Sequence, residues 1–195
     1  MDPRGAPWYA ARPLDAASST ERFRLSDLAF TLQPEQPGDD PAIEKLYERT
    51  FGPGRFARTA YRLRERLAHR RELSFTARIG TLLVGSVRLT PIRLGKTPAL
   101  LLGPLTVDPP FRDQGIGAAL IEASLAAARK AGERLVLLVG DEPYYARMGF
   151  KRVERGRVTL PGPVDPDRIL VAELVAGAFE GVEGPARRGF SGRSA

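Results

Sequence analysis

Hydrophobic residues in the first part of the chain recur with two different spacings. Over residues 28–32 they occupy every second position, which predicts a first strand. A helix is expected to begin at Asp39-Asp40-Pro41, because acidic residues and an early proline favour the first turn. Apolar residues at helical spacing over 55–71 predict a second helix. A separate stripe on this helix consists of Arg55, Arg58, Arg62 and Arg66.

Residues 73–107 have the pattern of three successive strands. Apolar residues alternate over 73–79 and again over 83–89, and the Gly80-Thr81 turn between them predicts a β-hairpin. The next strand covers residues 100–107 and contains Gly103-Pro104. Since proline cannot donate a hydrogen bond to a sheet, we expect a bulge or a local break there.

A strand, a helix and a strand then follow one another between residues 105 and 139. The helix is alanine-rich and is predicted from Gly115 to Ala131. The apolar run at 135–139 is typical of a strand that is covered on both faces. Such a crossover makes its two strands parallel, whereas the earlier strands look antiparallel. The pattern therefore predicts an α/β fold with a mixed, mostly antiparallel sheet and helices on both faces.

The 195 residues fit one domain with tails. Residues 1–26 and 184–195 lack sustained periodicity and are expected to be flexible tails around a domain at 27–183. No apolar run approaches the ~20 residues that a membrane-spanning helix needs, and no signal peptide is evident at the N-terminus. We therefore expect a cytoplasmic protein without membrane contact.

Composition excludes several kinds of chemistry. The chain has no cysteine and one histidine, His69, which rules out disulfides, thiolate nucleophiles and histidine-rich metal centres. We expect no metal, and we expect His69 to be exposed. The net charge of +7 attracts anions but does not choose between a nucleotide and RNA.

The segment Arg112-Asp113-Gln114-Gly115-Ile116-Gly117-Ala118 lies between a strand and the first turn of a helix. The first N–H groups of a helix have no acceptor within it, and glycine lets an anion approach them closely. This pattern favours pyrophosphate binding. Two alternatives are a simple tight turn and a dinucleotide-binding site in which Asp141 holds a ribose. The dinucleotide site is disfavoured because Leu120 stands where its third glycine is expected.

A second motif, Tyr145-x-x-x-Gly149-Phe150, follows the loop. Together with Leu105-Thr106-Val107-Asp108 and Arg112-x-x-Gly115-x-Gly117, in this order and spacing, it resembles the GNAT superfamily of acetyl-CoA-dependent N-acetyltransferases. The similarity is sharpest over residues 100–152. It looks closest to a bacterial subgroup whose substrates are largely unassigned.

The resemblance implies a sheet that opens between its two central parallel strands, with the cofactor acetyl-CoA in the opening. Pantetheine would pair with the backbone at 105–107, the diphosphate would lie on the amides of 114–118, and Tyr145 would protonate the leaving sulfur. A backbone N–H near Thr106 or Val107 would polarise the carbonyl. The implied cofactor-binding residues are Leu105, Thr106, Val107, Arg112, Asp113, Gln114, Gly115, Ile116, Gly117 and Ala118. Asp113 replaces a glycine that is frequent in the family, so its carboxylate is expected to point away from the phosphates.

The acceptor is predicted as a primary amine of an unidentified small molecule or protein, and homodimerisation is frequent in the family. Arg58 or Arg62 would draw an acidic acceptor if the arginine stripe faces the site. No general base can be chosen from the carboxylates at strand ends, which are Glu72, Asp108, Asp141 and Glu142. The alternative function is a non-catalytic module that binds acetyl-CoA, or RNA through the arginine stripe. Nucleic acid is not expected as a partner, since no known RNA-binding motif is present.

Overall fold

The computed structural model describes residues 29–52, 59–64 and 67–189, with only the backbone described at 59–61. The predicted tail at 1–26 lies outside these ranges, as do Arg55, Arg58 and Arg66 of the arginine stripe. Within the described ranges no helix is both long enough and apolar enough to cross a membrane.

A mixed sheet forms the centre of the molecule. Its strands are β1 (Thr31–Pro34), β2 (Phe75–Ile79), β3 (Leu82–Leu94), β4 (Thr97–Val107), β5 (Leu135–Val139), β6 (Lys151–Arg152), β7 (Val158–Thr159), β8 (Ile169–Glu173) and β9 (Gly184–Arg188). The order across the sheet is β1-β2-β3-β4-β5-β8-β6, with β9 beside the distal part of β3 and β7 beside β9. Neighbours are antiparallel except β4 with β5 and β7 with β9. The predicted mixed and mostly antiparallel sheet is thus confirmed, and it excludes the doubly wound parallel sheet of a dinucleotide-binding fold.

The two central parallel strands separate soon after they meet. β4 and β5 pair only at Leu100 with Val136 and at Leu101 with Leu137. Beyond these pairs β4 continues beside β3 to Val107, while β5 pairs along its whole length with β8. The edge of β4 from Leu102 onward therefore borders an opening in the sheet.

The predicted irregularity at Gly103-Pro104 lies at this opening. Val87 of β3 pairs with Leu105, but Leu89, two residues further along β3, pairs with Leu102. One extra residue of β4 is therefore accommodated in between, which is the definition of a bulge.

Helices cover both faces of the sheet. They are α1 (Asp40–Phe51), α2 (Thr59–Arg64), α3 (Ile116–Lys130) and α4 (Glu142–Tyr145). Leu100 and Val136 pack with α3, whereas the alternate residues Leu101 and Leu137 pack with Leu63 of α2 on the other face. α1 lies on the same face as α2, because the Tyr47 hydroxyl lies 3.5 Å from Ser86 of β3. The two faces of the sheet at the opening are consequently covered by different helices.

The second helix ends earlier than its apolar pattern predicts. The described part of α2 is Thr59–Arg64, and residues 67–70 are not helical, so the predicted end at Arg71 is wrong. Tertiary contacts explain the difference: the amide of Arg70 donates to the carbonyl of Leu89 (2.8 Å), which holds this segment against β3. His69, expected to be exposed, is instead only 15% exposed and lies 2.8 Å from Glu35.

The predicted C-terminal tail is wrong for its first residues. Gly184–Arg188 form β9, which pairs with β3 from Ile92 to Leu94. Only Ala186 of this strand is buried. The sequence of β9 therefore has almost no alternation of hydrophobic and polar residues from which a strand could be predicted. β9 also holds α2, since the Arg188 guanidinium donates to the carbonyl of Arg62 (3.3 Å and 3.4 Å).

Candidate active site

The loop between β4 and α3 presents a run of unpaired backbone amides. The first hydrogen bond of α3 runs from the amide of Ala119 to the carbonyl of Gly115 (3.0 Å). In the described part of the chain, the amides of residues 113–118 donate to no protein group. These N–H groups lie at the positive end of the α3 dipole, where an anion is stabilised. The loop is therefore built to accept a phosphate group.

Asp113 and Gly115 determine the shape of this loop. Both have a positive φ, 63° and 77°, and Asp113 is the one non-glycine residue with a positive φ in the described ranges. Glycine adopts this conformation without steric cost, and aspartate tolerates it better than most residues. Asp113 therefore fits the conformation of the glycine that it replaces, and its side chain is exposed.

Arg112 and Gln114 lie on either side of Asp113 and bond back to the chain before them. The Arg112 Nε donates to the carbonyl of Val107 (3.4 Å), and the side-chain Nε2 of Gln114 donates to the carbonyl of Pro110 (3.5 Å). The exposed guanidinium of Arg112 is thus held at the end of β4, next to the run of amides.

The predicted pantetheine-binding residues of β4 lie along the opening. One edge of Leu105, Thr106 and Val107 pairs with β3, and β5 has already diverged from the other edge. Leu105 and Val107 pack on the α3 face. Thr106 faces the opposite side with α1, because it pairs with Ser86. Within the described residues, its buried hydroxyl has no hydrogen-bond partner.

Tyr145 lies at the end of β5, against the opening. Its ring contacts Gly140 so closely that a Cβ on that glycine would lie 2.2 Å from the tyrosine Cε2. The Phe150 ring packs edge-on against it at 5.9 Å between centroids. The Tyr145-x-x-x-Gly149-Phe150 motif therefore fixes the position of the Tyr145 ring beside the end of β5. Only glycine fits at position 140 next to this ring.

Burial affects the hydroxyl of Tyr145 strongly. Desolvation, with smaller contributions from Tyr144 and Asp141, raises the pKa of Tyr145 to about 12. Its hydroxyl makes no hydrogen bond within the ranges that the structure describes. The phenol is therefore protonated over the whole physiological range, which is the form required of a proton or hydrogen-bond donor.

Tyr144 is a candidate site residue that the sequence analysis did not select. Its ring packs edge-on against that of Tyr145 (4.9 Å), and the guanidinium carbon of Arg147 lies 5.4 Å from its centroid. Its hydroxyl oxygen would lie 2.5 Å from a Cβ on Gly117, at the start of α3. Desolvation raises the pKa of Tyr144, so this hydroxyl is also a donor. Adjacent residues of a helix point about 100° apart, so two consecutive tyrosines reach different places. The Tyr144-Tyr145 pair in the sequence was the signal from which Tyr144 could have been selected.

The four carboxylates considered as general bases are all paired with arginine. Asp108 accepts from Arg49 (2.9 Å), Asp141 lies 3.1 Å from Arg168, and Glu142 accepts from Arg152 (2.6 Å). Glu72 pairs with Arg70. The structure thus singles out no general base among these four carboxylates.

A buried cluster of charged side chains, which the sequence analysis did not identify, lies beside α1. The side chain of Glu35 is fully buried and accepts from His69 (2.8 Å), from Arg71 (2.9 Å) and from Arg88 (2.7 Å and 2.9 Å). Asp40 also accepts from Arg71 and Arg88 (2.6 Å each). Burial alone would raise the pKa of Glu35, but the hydrogen bonds from His69 and Arg88 hold it below its ordinary value.

Arg88 connects this cluster with α1 and the sheet. Burial alone would lower its pKa, but the hydrogen bond to Glu35 and the nearby carboxylates raise it overall. Its guanidinium lies 5.7 Å from the ring centroid of Tyr47. The partners of Glu35 lie 34 to 53 residues away along the chain, so no local sequence pattern predicts the cluster.

The opening in the sheet, the run of amides and the buried tyrosine agree with the architecture that the GNAT resemblance implies. The sequence profile described as the Acetyltransferase (GNAT) family matches residues 41–150. The chain therefore belongs to the GNAT family, and it is an acyltransferase of the N-acetyltransferase class.

Individual relatives agree with this assignment. The uncharacterized N-acetyltransferase YhbS of Escherichia coli is 28% identical over 155 residues, which cover 78% of this chain and 92% of the relative. The crystal structure of YhbS in complex with CoA has a TM-score of 0.71 at 26% identity and covers 83% of this chain and 90% of that one. A GNAT acetyltransferase from Brucella melitensis in complex with acetyl-CoA has a TM-score of 0.54 at 26% identity, covering 78% and 99%.

Proposed function

We propose that the protein transfers an acetyl group from acetyl-CoA to a primary amine of a small molecule or a protein, by direct attack. The observation that carries this proposal is the run of unpaired amides at 113–118, which lies beside the free edge of β4. Tyr145 lies across the same opening, at the end of β5. These three features supply a place for each part of a thioester cofactor.

The donor would bind through backbone groups. Its diphosphate is placed on the amides of residues 114–118, with Arg112 as a side-chain donor. Its pantetheine arm carries amides of its own and would extend the free edge of β4 at 105–107, as an added strand does. The CoA and acetyl-CoA complexes of the two solved relatives support this choice of cofactor.

The reaction itself requires few protein groups. The neutral amine nitrogen attacks the thioester carbonyl carbon, and an N–H of Thr106 or Val107 stabilises the oxyanion. When the C–S bond breaks, the electron pair goes to sulfur, which takes a proton from Tyr145. The nitrogen passes its proton to water. The phenol regains a proton from solvent when the products leave.

Tyr144 would complete the donor site. Its hydroxyl lies next to Gly117, within the segment whose amides face the diphosphate, and it would donate a hydrogen bond to a phosphate oxygen. Hydrogen bonds to charged groups are stronger than those between neutral groups.

We expect Tyr144→Phe to weaken acetyl-CoA binding by about tenfold or more, because one charge-assisted hydrogen bond is lost while the ring remains. The turnover number at saturating acetyl-CoA should be unchanged. Calorimetric titration gives the affinity, and Tyr145→Phe is the matched control that should leave the affinity intact. Equal affinities of Tyr144→Phe and the natural protein would contradict this role.

The activity can be tested directly by following thiol release from acetyl-CoA in the presence of individual primary amines. Release that requires both the amine and the protein, together with an N-acetylated product found by mass spectrometry, is the expected result. Binding of acetyl-CoA without transfer to any amine, peptide or protein offered would instead favour the non-catalytic alternative.

A further inference from the structure

Arg147 places a guanidinium beside the run of unpaired amides at 113–118. The residue lies in the short turn Ala146–Met148 that follows α4, three positions after Tyr144, so the two side chains share one face. The guanidinium carbon of Arg147 lies 5.4 Å from the centroid of the Tyr144 ring. The hydroxyl of that ring points to the amide run, where it would lie 2.5 Å from a Cβ on Gly117.

The charge of Arg147 reaches the same point. Burial raises the pKa of Tyr144, and the nearby guanidinium of Arg147 partly offsets this effect because it favours the phenolate. An electrostatic effect of this kind depends on distance, so it places the positive charge close to the hydroxyl as well as to the ring. The hydroxyl of Tyr144 and the guanidinium of Arg147 therefore border the amide run from the side of α4.

Arg147 differs from two neighbouring arginines because it has no carboxylate partner in the described ranges. Arg152 pairs with Glu142 (2.6 Å), and Arg168 lies 3.1 Å from Asp141. Within the residues that the structure describes, Arg147 makes no hydrogen bond and no ion pair, and the residue is exposed. Its guanidinium thus retains its donors for a ligand, and a guanidinium binds a phosphate through two parallel hydrogen bonds.

Two guanidinium groups consequently flank the amide run. Arg112 is held at the end of β4 by its bond to the carbonyl of Val107, whereas Arg147 approaches from α4, next to Tyr144. CoA carries phosphate in two places, a diphosphate and a separate monoester on the 3′ oxygen of the ribose. The diphosphate already has the amides and Arg112 as donors in the proposed complex. Arg147 is then left for the monoester, which carries about two negative charges at neutral pH.

We infer that Arg147 binds the 3′-phosphate of CoA and makes the donor site selective for CoA over pantetheine thiols that lack this phosphate. Dephospho-CoA is such a thiol, and so is a phosphopantetheine arm that is attached to a carrier protein. The inference rests on the proposed function, since it requires the diphosphate to lie on the amide run. Because Arg147 is exposed, its attraction for the phosphate is screened by salt, so the selectivity is greatest at low ionic strength.

The test compares CoA with dephospho-CoA, which differ only in the 3′-phosphate. Each is titrated by calorimetry into the natural protein and into Arg147→Gln, which removes the charge but keeps a polar side chain. The natural protein should bind CoA about tenfold more tightly than dephospho-CoA, as expected for hydrogen bonds to a charged group. In Arg147→Gln the two affinities should agree within about twofold, because only the affinity for CoA falls. The preference of the natural protein should also shrink when the salt concentration is raised to about 0.5 M.

Three further variants separate this role from others. Arg112→Gln should weaken both ligands by the same factor, because the diphosphate that it would contact is present in each. Arg62→Gln removes the same charge on the other face of the sheet, where the Arg62 side chain donates to the carbonyl of Pro161 (3.3 Å), and it should leave both affinities unchanged. Arg147→Lys should keep part of the preference, since it retains the charge but not the paired donors.

Three results would overturn the inference. One is equal affinity of the natural protein for CoA and dephospho-CoA, and another is a preference that survives in Arg147→Gln with both affinities unchanged. The third is a loss of affinity for both ligands by the same factor in Arg147→Gln, which would assign the residue to the diphosphate instead. In each of these cases both ligands still bind, so the donor site of the proposed function stands. If neither ligand binds at millimolar concentration, the proposed function and the inference both fail.

Discussion

Tyr145→Phe is expected to lower the turnover number by about 10²–10⁴-fold, the usual contribution of a positioned proton donor. The change removes one hydroxyl and keeps the ring, so the contacts with Gly140 and Phe150 remain. Acetyl-CoA affinity should therefore stay within about twofold of that of the natural protein, since no binding contact is lost. Steady-state thiol release measures the first quantity and calorimetry the second.

Tyr144→Phe provides the opposite pattern, with weaker binding and unchanged turnover. The two adjacent tyrosines thus separate donor binding from chemistry within one short helix. Unchanged turnover in Tyr145→Phe would leave that residue with a packing role only.

The pH profile tests the same assignment independently. Because burial raises the pKa of Tyr145 to about 12, the phenol remains protonated well above its ordinary value of 10.0. Turnover at saturating substrate should therefore show no decline below pH 10 that depends on Tyr145. A decline near neutral pH that disappears in Tyr145→Phe would contradict the buried environment seen for this ring.

Glu35→Gln should destabilise the protein by about 3 kcal/mol, because it leaves the largely buried Arg88 and the partly exposed Arg71 without the carboxylate that they share. The Arg88 side chain is only 13% exposed, so water cannot replace the lost partner. For a chain of this length the melting temperature should fall by roughly 10 °C. The exposed Glu154, which has no ion pair in the described part of the chain, is the matched control. Glu154→Gln should stay within about 0.5 kcal/mol of the natural protein.

The effect of Glu35 also depends on pH. Its pKa is lower in the folded state than its ordinary value of 4.5, so the stabilisation is fully present above that value. The difference in stability between the natural protein and Glu35→Gln should be constant near neutral pH. It should shrink only when the pH falls below about 4.5 and through the folded pKa. Equal stability of the two proteins at neutral pH would show that the cluster contributes nothing.

Local patterns were sufficient for the donor side of the site. The hairpin of β2 and β3, the bulge at Gly103-Pro104 and the start of α3 each depend on residues that are close in sequence. A glycine or proline at a defined position has a local conformational effect, so turns and helix starts can be predicted from it. The family resemblance implied that the loop with the unpaired amides lies beside the free edge of β4, and this arrangement agrees with the structure.

The face of the sheet that α1 and α2 cover could not be predicted in the same way. Arg62 of α2 contacts β9, and Arg70 contacts β3; neither contact has a pattern within residues 59–71. β9 is held by backbone pairing with a single buried side chain, Ala186, so the hydrophobic periodicity that reveals other strands is absent. Glu35 and His69 likewise look like surface residues until the fold brings their partners together. Charge clusters and edge strands depend on residues distant in sequence, which is why they were missed.

The central claim is that the opening between β4 and β5 binds acetyl-CoA. Calorimetric titration with acetyl-CoA, with NADH in a parallel experiment, tests it most directly. NADH also contains an adenosine diphosphate, but it lacks the pantetheine arm that would pair with the free edge of β4. The account predicts saturable binding of acetyl-CoA at one site and no comparable binding of NADH. No binding of acetyl-CoA at millimolar concentration, or equal binding of both ligands, would contradict it.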